Sequence, residues 1–138
     1  MEQTKLKPLE EYIEYLKDEG VTFSERFGLT VSLYLKSIDY TDVYVYEHFE
    51  GKLEIFDYVG RCYTTKPPAV RLAKVLSKKF PEYDFRVEPY ASYEIDVHQV
   101  FDFTTIDDLH LRVCRLAKTI DECISIARET LGDRFSRS

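Results

Sequence analysis

Leu29, Val31, Leu33 and Leu35 alternate with Thr30, Ser32, Tyr34 and Lys36, a period of two that an amphipathic helix does not write and a half-buried strand does. A second run of the same period, from about Asp42 to Phe49, sends Val43 and Val45 to one side and Tyr44, Tyr46 and His48 to the other, because successive strand side chains point to opposite faces. The third, from Leu53 to Val59, sets Leu53, Ile55 and Val59 against Glu54, Phe56 and Tyr58. Between them Glu50-Gly51 reads as a tight hairpin turn in which Gly51 takes positive φ, so the two strands pair antiparallel and the aromatic side continues across the hairpin.

A change of period marks the helices. From about Lys7 to Glu19, Leu9, Ile13 and Leu16 fall on one side; Pro8 suits a first turn, Glu10 and Glu11 suit the positive end of the dipole, and Gly20 suits the C-terminal cap. A second helix starts at Pro67 or Pro68 and ends at Phe80 before Pro81, with Ala69, Leu72, Ala73, Leu76 and Phe80 inward and a basic ridge of Arg71, Lys74 and Lys78 outward.

Two further strands follow, around Asp84 to Val87 and Tyr93 to Phe103, and Pro89 assigns the first of them to a sheet edge. Thr119-Ile120-Asp121-Glu122 is a capping box, which opens a last helix from Thr119 to Leu131, closed by Gly132. The stretch Asp108 to Leu116 carries both periods and reads as either a sixth strand or the first half of that helix, with strand slightly preferred. Residues 134–138 read as a frayed tail.

The order is therefore α-βββ-α-ββ(β)-α, without repeat or linker, and hairpin connections make it an α+β fold: an antiparallel sheet of five to six strands with three helices packed on it. At 138 residues, a single domain spanning 1–138 is expected. Three cysteines, Cys62, Cys114 and Cys123, make neither a disulfide framework nor a zinc knuckle and read as reduced thiols. No signal-like or membrane-length apolar run is present, so the expectation is a cytoplasmic protein with no membrane partner. A net charge of −6 repels phosphate backbones; no nucleic acid is expected, and a basic protein or peptide is the better partner.

This order of elements, with the capped helix from Thr119 through Ala127, resembles the type III secretion chaperone-like fold of YbjN-type bacterial proteins. The resemblance implies an acidic, often dimeric protein that binds other proteins without catalysis, and it carries no motif residues onto this chain. The departure from that pattern is the tyrosine content, 11 in all.

Candidate chemistry is sparse. Glu94-x-Asp96-x-His98 places three polar groups on one strand face, two of which are able to ligate a metal, but an outward strand face is polar anyway and no third ligand stands at diagnostic spacing; no metal or cofactor is expected. Cys62 beside Arg61 has no histidine near it in sequence, and inert packing suits all three cysteines. No glycine-rich phosphate loop exists.

The aromatic strand face is the stronger candidate. Tyr34, Tyr40, Tyr44, Tyr46, Tyr58 and Tyr63 cluster between residues 34 and 63, and tyrosine presents a large ring at low entropy cost with a hydroxyl left for a partner. Either a helix of this chain covers these rings or another chain does. The expectation is a non-catalytic protein-binding module, chaperone-like or an adaptor and a homodimer, whose partner-binding residues are Tyr44, Tyr46, His48, Phe56 and Tyr58. The alternatives are an acidic inhibitor or immunity protein capping a basic site, a small metal-dependent enzyme using Asp96 and His98, and nucleic-acid binding through Arg71, Lys74 and Lys78.

Overall fold

Pro8–Glu19 forms helix α1, in a computed structural model that describes residues 7–26, 28–36, 38–49 and 51–137. Lys7 is its N-cap, with Glu10 reaching back to the Lys7 amide, and Gly20 closes it in the left-handed conformation. The buried line of α1 is rotated from the expected one. Tyr12 and Leu16 are sealed, whereas Leu9 and Ile13 are half-buried, because Tyr12 finds a polar partner inside the protein for its hydroxyl.

Strands β1 (Phe23–Ser24), β2 (Leu29–Tyr34), β3 (Tyr40–Glu47) and β4 (Lys52–Cys62) come next, then α2 (Lys66–Lys79), β5 (Asp84–Pro89), β6 (Tyr93–Asp102), α3 (Ile106–Leu131), a 3-10 turn (Gly132–Arg134) and β7 (Phe135–Ser136). The strands form one antiparallel sheet in the order β1-β2-β3-β4-β6-β5, with β7 added to β4. The α+β class and the element order are as the sequence predicts; the two extra strands are two-residue pieces at either end of the chain. Gly51 takes φ 74° in the β3–β4 turn, while Glu50 lies outside the described residues. Edge strand β5 ends at Pro89, as its missing N–H requires.

All three helices pack on one side of the sheet. Leu72 and Leu76 of α2 and Leu109, Leu116, Ile120 and Ile124 of α3 meet Val43, Val45, Leu53, Ile55, Ile95 and Val97 in one core. Along each strand the alternate residues therefore point to the side without helices, which is where the candidate face stands. Among the described residues no helix is long and apolar enough to cross a membrane.

Two expectations about the C-terminal third fail. The last helix does not open at Thr119, and of the two readings of Asp108 to Leu116 the slightly preferred strand fails while the first half of that helix holds, because α3 runs unbroken over 26 residues and Thr119 is buried within it. The N-cap is Thr105, whose Oγ1 accepts from the Asp108 amide at 3.1 Å. Helical burial decides the matter: Leu109, Val113 and Leu116 are sealed, while Leu111, which a strand reading pairs with Leu109, is exposed. Nor is the tail frayed through residue 137. Phe135 is buried against Gly60, β7 pairs with Arg61 and Cys62, and Arg137 reaches the interior.

Candidate functional site

The register places Thr30, Tyr44, Phe56, His98 and Asp84 in one row across β2, β3, β4, β6 and β5. All five side chains lie on the helix-free side, because Val43, Val45, Ile55 and Val97 take the core side. Phe56 is the centre of the row. It stacks with Tyr44 at 4.7 Å between ring centroids, with Tyr46 at 5.2 Å and with the His98 imidazole at 5.1 Å. Tyr58 stands edge-on to both Tyr44 and Phe56 at 5.9 Å. Such contacts hold the rings in fixed orientations, each pair contributing about 0.5–1.5 kcal/mol beyond area burial.

None of these four rings joins the core cluster. Tyr44, Phe56 and Tyr58 are half-buried by one another, and Tyr46 is 40% exposed. Among the described residues, then, no helix of this chain lies over them. Burial raises the Tyr44 hydroxyl's pKa, with the nearby carboxylates of Asp42 and Asp57 adding to it; burial also pushes Tyr58 up to about 12. Both rings therefore present neutral hydroxyl groups.

His48 lies just beyond β3 and is tied to the same face through Glu54. One Glu54 oxygen is 2.8 Å from His48 Nε2 and the other 2.7 Å from His98 Nδ1. Burial acts to raise the Glu54 pKa, but the hydrogen bonds and charges of His98 and His48 outweigh it, so the group is held below its ordinary value. Glu54 escaped the sequence reading because its importance comes from two histidines that are remote in sequence or across the hairpin.

Asp96 and His98, the pair assigned to the enzyme alternative, share this face but are not brought together. His98 is engaged by Glu54, and Asp96 lies one row further along, between Tyr58 on β4 and Arg86 on β5. Asp96 is only 8% exposed, and its Oδ1 has no hydrogen-bond partner among the described residues. Burial, then the charges of Glu94 and Glu88 and a hydrogen bond with Glu94, push its pKa up to about 7 against a smaller pull from Arg86. Among the described residues no three of His, Cys, Asp and Glu are grouped so as to hold a metal.

A second polar site lies where the sheet divides. Beyond Tyr44 and Phe56 the β3–β4 ladder stops, and β7 takes over the freed edge of β4 at Arg61 and Cys62. Asp57 sits in the fork at 1% exposure, accepting from the Thr41 hydroxyl at 2.5 Å and from the Tyr58 amide at 2.6 Å. Arg137 closes it from just beyond β7, 2.6 Å from Thr41 Oγ1 and 3.4 Å from Asp57. Burial pushes Asp57 up to about 7 although Thr41, Arg137 and the Tyr58 amide all act to lower it. The sequence shows nothing of this fork, which depends on where one strand leaves another.

The cysteines behave as packing groups. Cys62 and Cys123 are sealed, and burial pushes their thiols up to about 11 and about 12. Cys114 Sγ is 3.4 Å from His110 Nε2, and His110 Nδ1 is 2.8 Å from the buried Tyr12 hydroxyl. Where Tyr12 donates to Nδ1 the imidazole proton sits on Nε2 and faces the sulfur; in the other tautomer Nε2 accepts from the thiol. Burial also lowers His110 against the opposing charges of Glu19 and Asp107, and it raises Cys114.

The basic ridge of Arg71, Lys74 and Lys78 is exposed on the outer side of α2, remote from the aromatic face.

No protein-family model matches the chain, and no curated protein matches it by sequence. Its fold is similar to that in the crystal structure of YbjN from E. coli, a protein described as a candidate transcription regulator. The TM-score is 0.66 with 12% sequence identity, over 91% of this chain and 96% of that one. The resemblance expected from element order is thus shown for the fold.

Proposed function

We propose that this chain is a non-catalytic protein-binding module, a chaperone-like or adaptor protein that receives a protein partner on its aromatic sheet face. The observation that carries this reading is the stack of Tyr44, Tyr46, Phe56 and Tyr58 on the one side of the sheet that no helix covers. Pre-oriented aromatic rings with neutral hydroxyl groups are the composition of binding hot spots, since little side-chain freedom remains to be lost on docking. His48 extends the patch at the β3 end.

The YbjN-like fold supports a role exercised through protein contact. If regulation of transcription is the process served, an acidic chain of net charge −6 takes part by contacting a protein and not a phosphate backbone. An inhibitor or immunity protein that caps a basic site is the same reading with a different partner, and the carboxylates beside the rings favour it over catalysis.

The test is a comparison of wild type with the Tyr44→Ser/Tyr46→Ser double variant in affinity capture from the native cell, followed by reconstitution with the purified partner. The reading expects the variant to keep its fold and lose the partner. Retained binding by a folded variant overturns it. The expected homodimer is checked alongside by light scattering: a wild-type dimer that becomes a monomer in the variant makes a second copy the occupant of the face.

A further inference from the structure

We infer that the segment received by the aromatic face is basic, with an arginine or lysine side chain seated beside Tyr58 against the carboxylates of Asp96 and Glu94. This inference rests on the binding reading above and names the chemistry of the partner.

Asp96 is the deepest carboxylate of the open face. It is more than nine-tenths buried on the side of the sheet where no helix lies, yet among the described residues its Oδ1 is left without a donor. The cation opposite it, Arg86 on β5, gives its Nε to Asp84 at 2.8 Å instead. In the next row Glu94 lies directly opposite Glu88, a like-charge pair that destabilises an antiparallel ladder. Arg61 on β4 faces Glu94 from the other strand, but it is exposed, and among the described residues it makes no ion pair with either glutamate. Asp96 shares a hydrogen bond with Glu94, but the isolated chain still holds an unpartnered buried Asp96 Oδ1 beside opposed glutamates, at the edge of a pre-oriented aromatic patch. Local violations of this kind are expected where a ligand completes the site.

A guanidinium supplies what is missing. It is planar, brings five donors in a fixed fork and pairs bidentately with a carboxylate, while its flat face or its aliphatic stem packs on a ring. Tyr58, the cross-strand neighbour of Asp96, offers that ring at contact distance from the rest of the stack. The groups facing Asp96 are Tyr58 and Arg61 on β4, Arg86 and Glu88 on β5, and Glu94 and His98 on its own strand. Since burial and the glutamates hold Asp96 partly protonated near neutral pH, seating a cation releases a proton, and affinity rises with pH from about 6 to about 8. Charge complementarity also selects the occupant: a second copy docking by the same face would bring Glu54, Glu94 and Asp96 toward their own equivalents.

The experiment titrates the full chain with three nine-residue peptides, alternating arginine and leucine, citrulline and leucine, and glutamate and leucine, followed by calorimetry and by NMR shifts. The inference expects the arginine peptide to shift Tyr58 and Asp96 and to bind at least tenfold more tightly than the citrulline peptide. The Asp96→Asn/Glu94→Gln variant, which keeps the shape of both side chains, is expected to erase that difference. Equal binding of the arginine and citrulline peptides on the face overturns the basic-segment inference while leaving the protein-binding reading standing. No shift with the arginine peptide at millimolar concentration, or shifts confined to other surfaces, also overturns it.

Discussion

Among the described residues Asp57 and Asp96 are the two carboxylates that this fold takes out of water, one in the fork between β3 and β4 and one on the open face. Their folded-state pKa values of about 7 stand above the ordinary 3.8, so between about pH 4 and 7 the folded chain holds protons that the unfolded chain has released. Stability must then fall as pH rises through that window and level off above it. For Asp57 the change is on the order of 4 kcal/mol. Glu54, held low by its two histidines, acts in the opposite sense and is lost only as pH falls through its depressed value. Urea unfolding at pH 5 and pH 7.5 checks this: wild type is expected to be less stable at the higher pH and Asp57→Asn to show a shallower slope, whereas equal slopes contradict the assignment. Arg137→Ala removes a cation that acts to lower the Asp57 pKa, so the carboxyl is expected to stay protonated to higher pH, with a loss of stability that is larger at pH 7.5 than at pH 5.

At the scale of elements, α3 and β7 are where sequence and structure part. Thr119-Ile120-Asp121-Glu122 satisfies the capping-box rule, but the helix was already under way fourteen residues earlier, because Thr105 caps it and Leu109, Val113 and Leu116 bury as a helix requires. Local chemistry can specify a start that tertiary burial overrides. Thr105→Ala is expected to cost about 1 kcal/mol in thermal or urea unfolding, the ordinary loss of an N-cap. β7 was illegible for another reason: two residues have no period, and only the β4 edge freed by the departure of β3 gives them a place to pair. Gly60 is its counterpart. A Cβ there would stand 2.5 Å from the Phe135 ring, so Gly60→Ala is expected to displace β7 and lower stability by about 1–3 kcal/mol, visible as faster amide exchange at residues 61, 62 and 135.

Taken whole, the molecule is a sheet with one side spent on its core and the other left aromatic and acidic. That division was readable from alternation alone, since Val43, Val45, Leu53 and Ile55 take one side and Tyr44, Tyr46, Phe56 and Tyr58 the other wherever the strands pair in register. Which side the helices choose was not readable, because three amphipathic helices declare their own apolar stripes and not the surface that receives them. Asp96 stood out in the sequence as a candidate metal ligand, but the donor it lacks, like the histidines that Glu54 joins, shows only once β4, β5 and β6 are in register. The proposed function requires that another protein cover this face in the cell. Its most direct test is hydroxyl-radical footprinting of the chain alone and in its reconstituted complex, read residue by residue by mass spectrometry. Strong protection of Tyr44, Tyr46, Phe56 and Tyr58 is expected on complex formation, with Tyr90 and the α2 ridge unchanged; unchanged reactivity of the four rings, with protection elsewhere, rules out this face as the binding surface.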